Sequence, residues 1–234
     1  MTQAIEDLIK TYPDLEVCRQ DLEESCAILK NSIRSKGKLL ICGNGGSAGD
    51  SEHIVGELMK GFISKRPLPE EMRQRFRDAF PEEGDFLADH LQGAIPAISL
   101  VSHSALITAF INDVTAETVY AQQVYGYGQE TDTLLAISTS GNSANVVRAV
   151  QVAKVLGLAT IGLTGRKGGK LLDLCDVTIR VPRELTHHIQ ELHLPVYHAL
   201  CIALEDEFFG SPKPKNAAES RLQQKNKIRN GLYS

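Results

Sequence analysis

Apolar positions along this chain change period repeatedly. Over residues 14–35 they recur at Leu15, Cys18, Leu22, Cys26, Leu29 and Ile33 with charged residues between them, the spacing of one face of a helix. Residues 38–42 form a short, mostly apolar run ended by glycines, which suits a buried strand. The pattern then predicts helices at 47–62, 103–111, 115–127, 144–156 and 188–209, and strands at 95–101, 134–137, 159–163 and 177–181. Strands alternating with helices imply parallel βαβ units, hence an α/β fold with a doubly wound sheet covered on both faces. Such sheets bind ligands at the carboxyl ends of their strands, so chemistry belongs in the turns that follow strands.

Two of those turns are informative. Gly43-Asn44-Gly45-Gly46-Ser47-Ala48 leaves a predicted strand and starts a predicted helix, where glycines admit an anion to backbone amides and the helix start adds partial positive charge. It is neither Gly-x-Gly-x-x-Gly nor the Gly-Lys-Ser/Thr phosphate loop, which argues against a nucleotide cofactor. Ser138-Thr139-Ser140-Gly141-Asn142-Ser143 also joins strand to helix. Its four hydroxyls can wrap the oxygens of a phosphate monoester, although Ser143 as a helix cap and the others as turn formers would account for them structurally.

A third group lies on predicted helices. His53 and Glu57 are four apart, hence on one face and able to share a proton or a cation. The closing helix carries His187, His188, Gln190, His193 and His198. Spacing does not choose among them, because Gln190 and His198 stand ~12 Å apart along an ideal helix. Both reach one ion only if the helix is irregular, and Pro195, which deletes a helical N–H and crowds the Glu191 carbonyl, offers a cause of irregularity.

Length and composition narrow the setting. A chain of 234 residues, 42% hydrophobic and 23% charged, is expected to fold as one α/β domain with appendages. No apolar run approaches the ~18 residues that cross a bilayer, and the opening residues lack the order of a signal peptide, so the expected location is the cytoplasm, away from membranes. A net charge of −4 argues against nucleic acid as a partner. Six basic residues against Glu219 alone make 211–234 a basic tail, either solvated or a contact arm, with a boundary near Gly210. The cysteines, at 18, 26, 42, 175 and 201, are scattered and read as reduced core residues.

Taken in order, Gly-Asn-Gly-Gly-Ser at 43–47, His53 and Glu57, Ser-Thr-Ser-Gly-Asn-Ser at 138–143, Leu163-Thr164-Gly165, and Ile189-Gln190-Glu191-Leu192-His193-Leu194 followed by His198 closely resemble the sugar-isomerase (SIS) domain proteins of the phosphoheptose isomerase family. The resemblance spans roughly residues 5–209 and implies a five-stranded, flavodoxin-like parallel sheet. The domain would occupy 37–210, after an N-terminal helical segment at 1–36, with an insertion at about 65–92. It implies aldose–ketose interconversion of sedoheptulose 7-phosphate and glycero-manno-heptose 7-phosphate by homotetramers whose active sites lie between subunits. Carried onto matching positions, it implies a zinc ion on His53, Glu57, Gln190 and His198, with Glu57 and His198 as the catalytic acid/base pair. The sugar-phosphate contacts fall on Asn44, Gly45, Gly46, Ser47, Glu57, Asn112, Asp113, Ser138, Thr139, Ser140, Ser143 and Gln190. This chain departs from the family in placing His187 where an acidic residue is common, in Pro195, and in the insertion, expected at the sheet edge opposite the phosphate site, a placement that favours an added subunit contact over a lid unless a neighbour brings it to the active site. A rival reading is a non-catalytic SIS module that senses sugar phosphates or binds a protein, as replication-initiation regulators do; retention of His53, Glu57, Gln190 and His198 together favours the enzyme. An apolar stripe on 14–35 predicts helices packed between subunits.

Overall fold

The computed structural model describes residues 2–210; the basic segment 211–234 lies outside the described residues. Five strands form one parallel sheet in the order β2-β1-β3-β4-β5: β1 (Leu39–Cys42), β2 (Ala97–Ser99), β3 (Thr133–Ile137), β4 (Ala159–Gly165) and β5 (Val177–Val181). β1 and β3 are buried along their whole length because helices cover both faces, which is why they read as apolar runs rather than as alternation. Alternate residues still divide between two cores. Leu39, Ile41, Leu135 and Ile137 face α1 (Gln3–Thr11), α2 (Arg19–Arg34), α3 (Gly46–Met59) and α10 (Thr186–Phe209). Leu40, Cys42, Leu134 and Ala136 face α7 (Val119–Tyr127), α8 (Ala144–Val155) and α9 (Gly169–Leu174), with α6 (Ser104–Asp113) at the margin.

The apolar stripe of 14–35 is covered within the chain. Pro13 starts a 3-10 turn through Cys18 before α2, and Leu15, Cys18, Leu22, Cys26 and Leu29 are all buried. The covering elements are α10 and β5, together with α1, a separate helix that periodicity over 14–35 did not disclose. The stripe is thus covered within the chain and does not by itself call for a neighbouring subunit. Exposed apolar side chains include Val17 in the 3-10 turn, Leu106 and Ile111 on α6 and Val114 just after it.

All the cysteines are free; Cys18, Cys26, Cys42 and Cys201 are buried and Cys175 is partly so. Burial pushes the thiols of Cys18, Cys175 and Cys201 up to about 12, so they are inert at neutral pH. Residues of the insertion build two helices, α4 (Glu70–Ala79) and α5 (Gly84–His90), packed chiefly on each other. They leave the body between the end of α3 and the start of β2, at the edge opposite the turns after β1 and β3.

Candidate functional site

β1 and β3 are neighbours, and it is between them that the strand order reverses, so the two informative turns stand side by side at the ligand-binding edge of the sheet. A reciprocal amide pair joins them. Asn44 donates to Asn145 at 2.9 Å, Asn145 donates back at 2.9 Å, and the Tyr120 hydroxyl donates to the Gly43 carbonyl at 2.7 Å. Neither Asn145 nor Tyr120 was singled out from the sequence. In the second turn Gly141 adopts φ +65°, and a side chain there would strike the Gly168 carbonyl. Ser138 and Ser143 hydroxyls lie 3.0 Å apart, Ser140 accepts from the Asn142 amide at 3.2 Å, and Thr139 accepts from the Gly165 amide at 3.0 Å through its carbonyl. Ser138 is buried, contrary to a fully solvent-facing turn, whereas Ser140 is exposed.

From this edge α3 and α10 descend side by side in the same direction. At the top, the Gln190 amide lies so close to Gly46 that a Cβ there would run into it. Lower down, His53 meets His198 edge to face with ring centroids 5.0 Å apart, and His53 Nε2 lies 3.2 Å from Glu57 Oε1. Lys60 donates to Glu57 Oε2 at 3.1 Å, and Phe62 tilts against the His198 ring at 5.2 Å between centroids. His53 stands about 10 Å and Glu57 about 16 Å along the α3 axis from Gly46. The phosphate-type cradle and the acid/base pair thus occupy two levels of one seam.

Burial, reinforced by a neighbouring His53 charge and opposed by Glu57, lowers the His198 pKa from its ordinary value and so favours the neutral ring. Its Nε2 is buried and has no hydrogen-bond partner. On the far side of His53, Nδ1 lies 2.9 Å from the Tyr197 hydroxyl, which donates to Asp50 Oδ1 at 3.3 Å. Burial, with the Asp50 charge added, pushes the Tyr197 hydroxyl well up, and burial also raises the Asp50 carboxyl. Sequence spacing could have found Asp50, three residues before His53 on the same helix; nothing marked Tyr197.

Zinc has a partial fit. Two imidazoles, a carboxylate and an amide are a suitable donor set, and the orphaned Nε2 of His198 is one ready nitrogen. Among the described residues, however, no three His, Cys, Asp or Glu side chains already converge as metal ligands. α10 continues as a helix through Pro195, so the irregularity that would bring Gln190 down to His198 is not present. Asn112 and Asp113 lie exposed at the end of α6, hydrogen-bonded to each other at 2.8 Å, with no hydrogen bond to either turn. His187 and His188 meet edge to face at the start of α10, also exposed.

Beneath the seam is a buried ion pair that no periodicity announced. Arg66 Nε donates to Glu205 Oε1 at 2.7 Å, its Nη1 to the Leu58 carbonyl at 2.7 Å and its Nη2 to the Glu57 carbonyl at 3.0 Å. Glu205 also accepts from the amides of Phe62, Ile63 and Ser64. Burial works to raise the Glu205 carboxyl, but those amides and the Arg66 guanidinium hold it below the usual carboxylate range. Arg66 therefore caps the last carbonyls of α3 and fastens that helix to α10.

His193 is wholly buried, and burial, opposed by the neighbouring Thr164 backbone, pushes its pKa down to about 4. Between pH 6.5 and 4 the unfolded chain binds a proton at this residue that the native protein does not. Stability is then fully present above 6.5 and falls by roughly 3 kcal/mol as pH drops toward 4. The stability difference between the wild type and His193→Leu, read from melting curves across this range, is expected to shift by roughly 3 kcal/mol in the variant's favour as pH falls, because the variant lacks the proton uptake.

Residues 76–165 match the SIS domain. The chain is 36% identical over 189 residues to a phosphoheptose isomerase of Rhodospirillum rubrum, covering 81% of this chain and 87% of the relative. It is 42% identical over 192 residues to one of Crocosphaera subtropica, covering 82% and 84%. Among solved structures, a phosphoheptose isomerase of Francisella tularensis aligns with a TM-score of 0.67 at 28% identity, covering 86% of this chain and 94% of that one. That of Neisseria gonorrhoeae gives 0.62 at 29%, covering 85% and 98%.

Proposed function

The chain belongs to the phosphoheptose isomerase family, and we propose on that premise that it interconverts a ketose phosphate and an aldose phosphate, sedoheptulose 7-phosphate and glycero-manno-heptose 7-phosphate, by enediolate proton transfer. The observation that carries this reading is the two-level seam: Gln190 at Gly46 beside the cradle, and His198 at His53 and Glu57 below it. A sugar phosphate anchored by the turns at 43–47 and 138–143 extends its carbonyl end down α3 to the acid/base pair. The Glu57 carboxylate takes the proton from the carbon beside the carbonyl and returns it to the neighbouring carbon. Neutral His198 moves the oxygen-bound proton, its burial keeping it a base at neutral pH.

His53, Glu57 and His198 would hold zinc, while Gln190 stands above them at the level of Gly46; bound there, the ion would polarise the carbonyl and steady the oxyanion. The protein is read as a cytoplasmic homotetramer. Leu106, Ile111 and Val114 supply an exposed apolar surface that supports this reading, and in such an assembly the exposed Asn112 and Asp113 would complete a neighbour's site. Among the described residues no helix is long and apolar enough to cross a membrane.

The test is incubation with ketose phosphates of five, six and seven carbons in deuterated water, with NMR following exchange at the carbon next to the carbonyl. Exchange is expected with the seven-carbon substrate; none with any sugar would overturn the isomerase reading in favour of a binding module. Because Ser138 is buried, the cradle is better probed with Ser140→Ala/Ser143→Ala. That variant should raise KM about tenfold or more for phosphorylated substrates, with kcat little changed and the fold intact.

A further inference from the structure

We propose that Tyr197 is a positioning residue for the reaction above: held by Asp50, its hydroxyl fixes His53 as the Nδ1–H tautomer and leaves Nε2 as a lone pair aimed at Glu57. The inference rests on the isomerase reading only for its consequence, not for its geometry. Tyr197 is buried, with 2% of its surface exposed, and its hydroxyl lies 3.3 Å from Asp50 Oδ1 and 2.9 Å from His53 Nδ1. A phenol has one proton to give. The Asp50 carboxylate can only accept, so the proton goes there, and the Tyr197 oxygen is left to accept from His53 Nδ1–H. The ring is also held from the side, by Tyr197 at 77° and His198 at 87°, both edge to face, so it cannot turn without losing both contacts.

The consequence lies on the other ring nitrogen. Once Nδ1 carries the proton of the neutral ring, Nε2 presents a lone pair, and 3.2 Å away Glu57 Oε1 presents another. Two acceptors at that distance call for a positive centre between them, either a proton in transit or a metal cation. The relay of carboxylate, phenol and imidazole thus readies His53 Nε2 as a donor to a cation, the role that a second shell of hydrogen bonds plays around metal-binding histidines. The remaining oxygen of Asp50, Oδ2, is buried without a partner, which leaves Tyr197 as the hydrogen bond through which Asp50 acts in this chain.

Proton–nitrogen correlation spectra of the full chain labelled on histidine, with and without zinc in mildly alkaline buffer, read the tautomer directly; the His53 signals are assigned by their loss in His53→Gln. The wild type should show Nδ1–H. Tyr197→Phe, which keeps the ring packing, should give mixed tautomers, zinc affinity lower by about tenfold or more in competition with a chromophoric chelator, and a lower kcat with KM within about twofold. Asp50→Ala should reverse the tautomer, because the phenol proton then turns to Nδ1 and drives the imidazole proton to Nε2. A wild-type Nε2–H ring, or Tyr197→Phe with unchanged tautomer and zinc affinity, would overturn the proposal, as would Asp50→Ala that keeps Nδ1–H. A wild-type protein with the Nδ1–H tautomer that exchanges no substrate protons would leave the relay standing and overturn the isomerase reading instead.

Discussion

Glu57→Gln is expected to lower the rate of substrate-proton exchange by about a hundredfold to ten-thousandfold, the usual worth of a positioned general base, and His198→Asn is expected to do the same. Gln keeps the shape of Glu57 and its place between His53 and Lys60 but takes up no proton at neutral pH. Asn removes the imidazole beside His53 whose Nε2 is buried and unengaged. Sugar-phosphate binding should survive both changes, because the cradle lies about 10 to 16 Å up α3 from His53 and Glu57. Isothermal titration with the seven-carbon phosphate, run beside the exchange assay, separates the two effects. Full turnover in either variant would move the chemistry to other bases, of which Asp113 from a neighbouring subunit and His187 are the candidates.

The second large effect concerns the ion pair under the seam. Arg66→Met leaves Glu205 buried with its cationic partner gone, a loss of about 3–5 kcal/mol, which for a chain of this size lowers Tm on the order of 10 °C. The double change Arg66→Met/Glu205→Gln should recover part of that loss, since it removes the uncompensated charge; thermal melts of the two single variants and the double measure the coupling. A loss below about 1 kcal/mol for Arg66→Met would mean that water reaches Glu205. The same substitution frees the Glu57 and Leu58 carbonyls, so the surviving folded fraction should show a reduced kcat.

What the sequence disclosed and what it hid divide along one physical line. Parallel strands buried on both faces, and turns rich in glycine and serine after them, are local signals, whereas the strand order that sets the two turns side by side was implied by the family resemblance alone. Helical spacing also put His53 beside Glu57. Contacts made across long stretches of chain left no such trace: Asn44 with Asn145, Arg66 with Glu205, and Tyr197 with Asp50 depend on how helices dock, which no period encodes. α9 was missed because it is short and begins at the second of two glycines with positive φ. The apolar stripe of α2 was legible as a stripe, but the partner covering it was misjudged, since α1 lies beyond Pro13 and reads as a separate fragment.

The insertion between α3 and β2 starts and ends at almost one point. Pro67 pairs with Gln92 across an antiparallel bridge, the Gly93 amide donates to the Arg66 carbonyl at 2.7 Å, and the Gly61 amide donates to the Gln92 side chain at 2.7 Å. Such a neck makes the helical hairpin a graft rather than a brace. Excising residues 68–91 and sealing the cut with a short polar linker asks the body to close no gap and leaves Arg66 in its socket. Conversely, a foreign hairpin or a reporter peptide of any modest length can be spliced at the same junction, remote from the phosphate edge, without re-routing a strand.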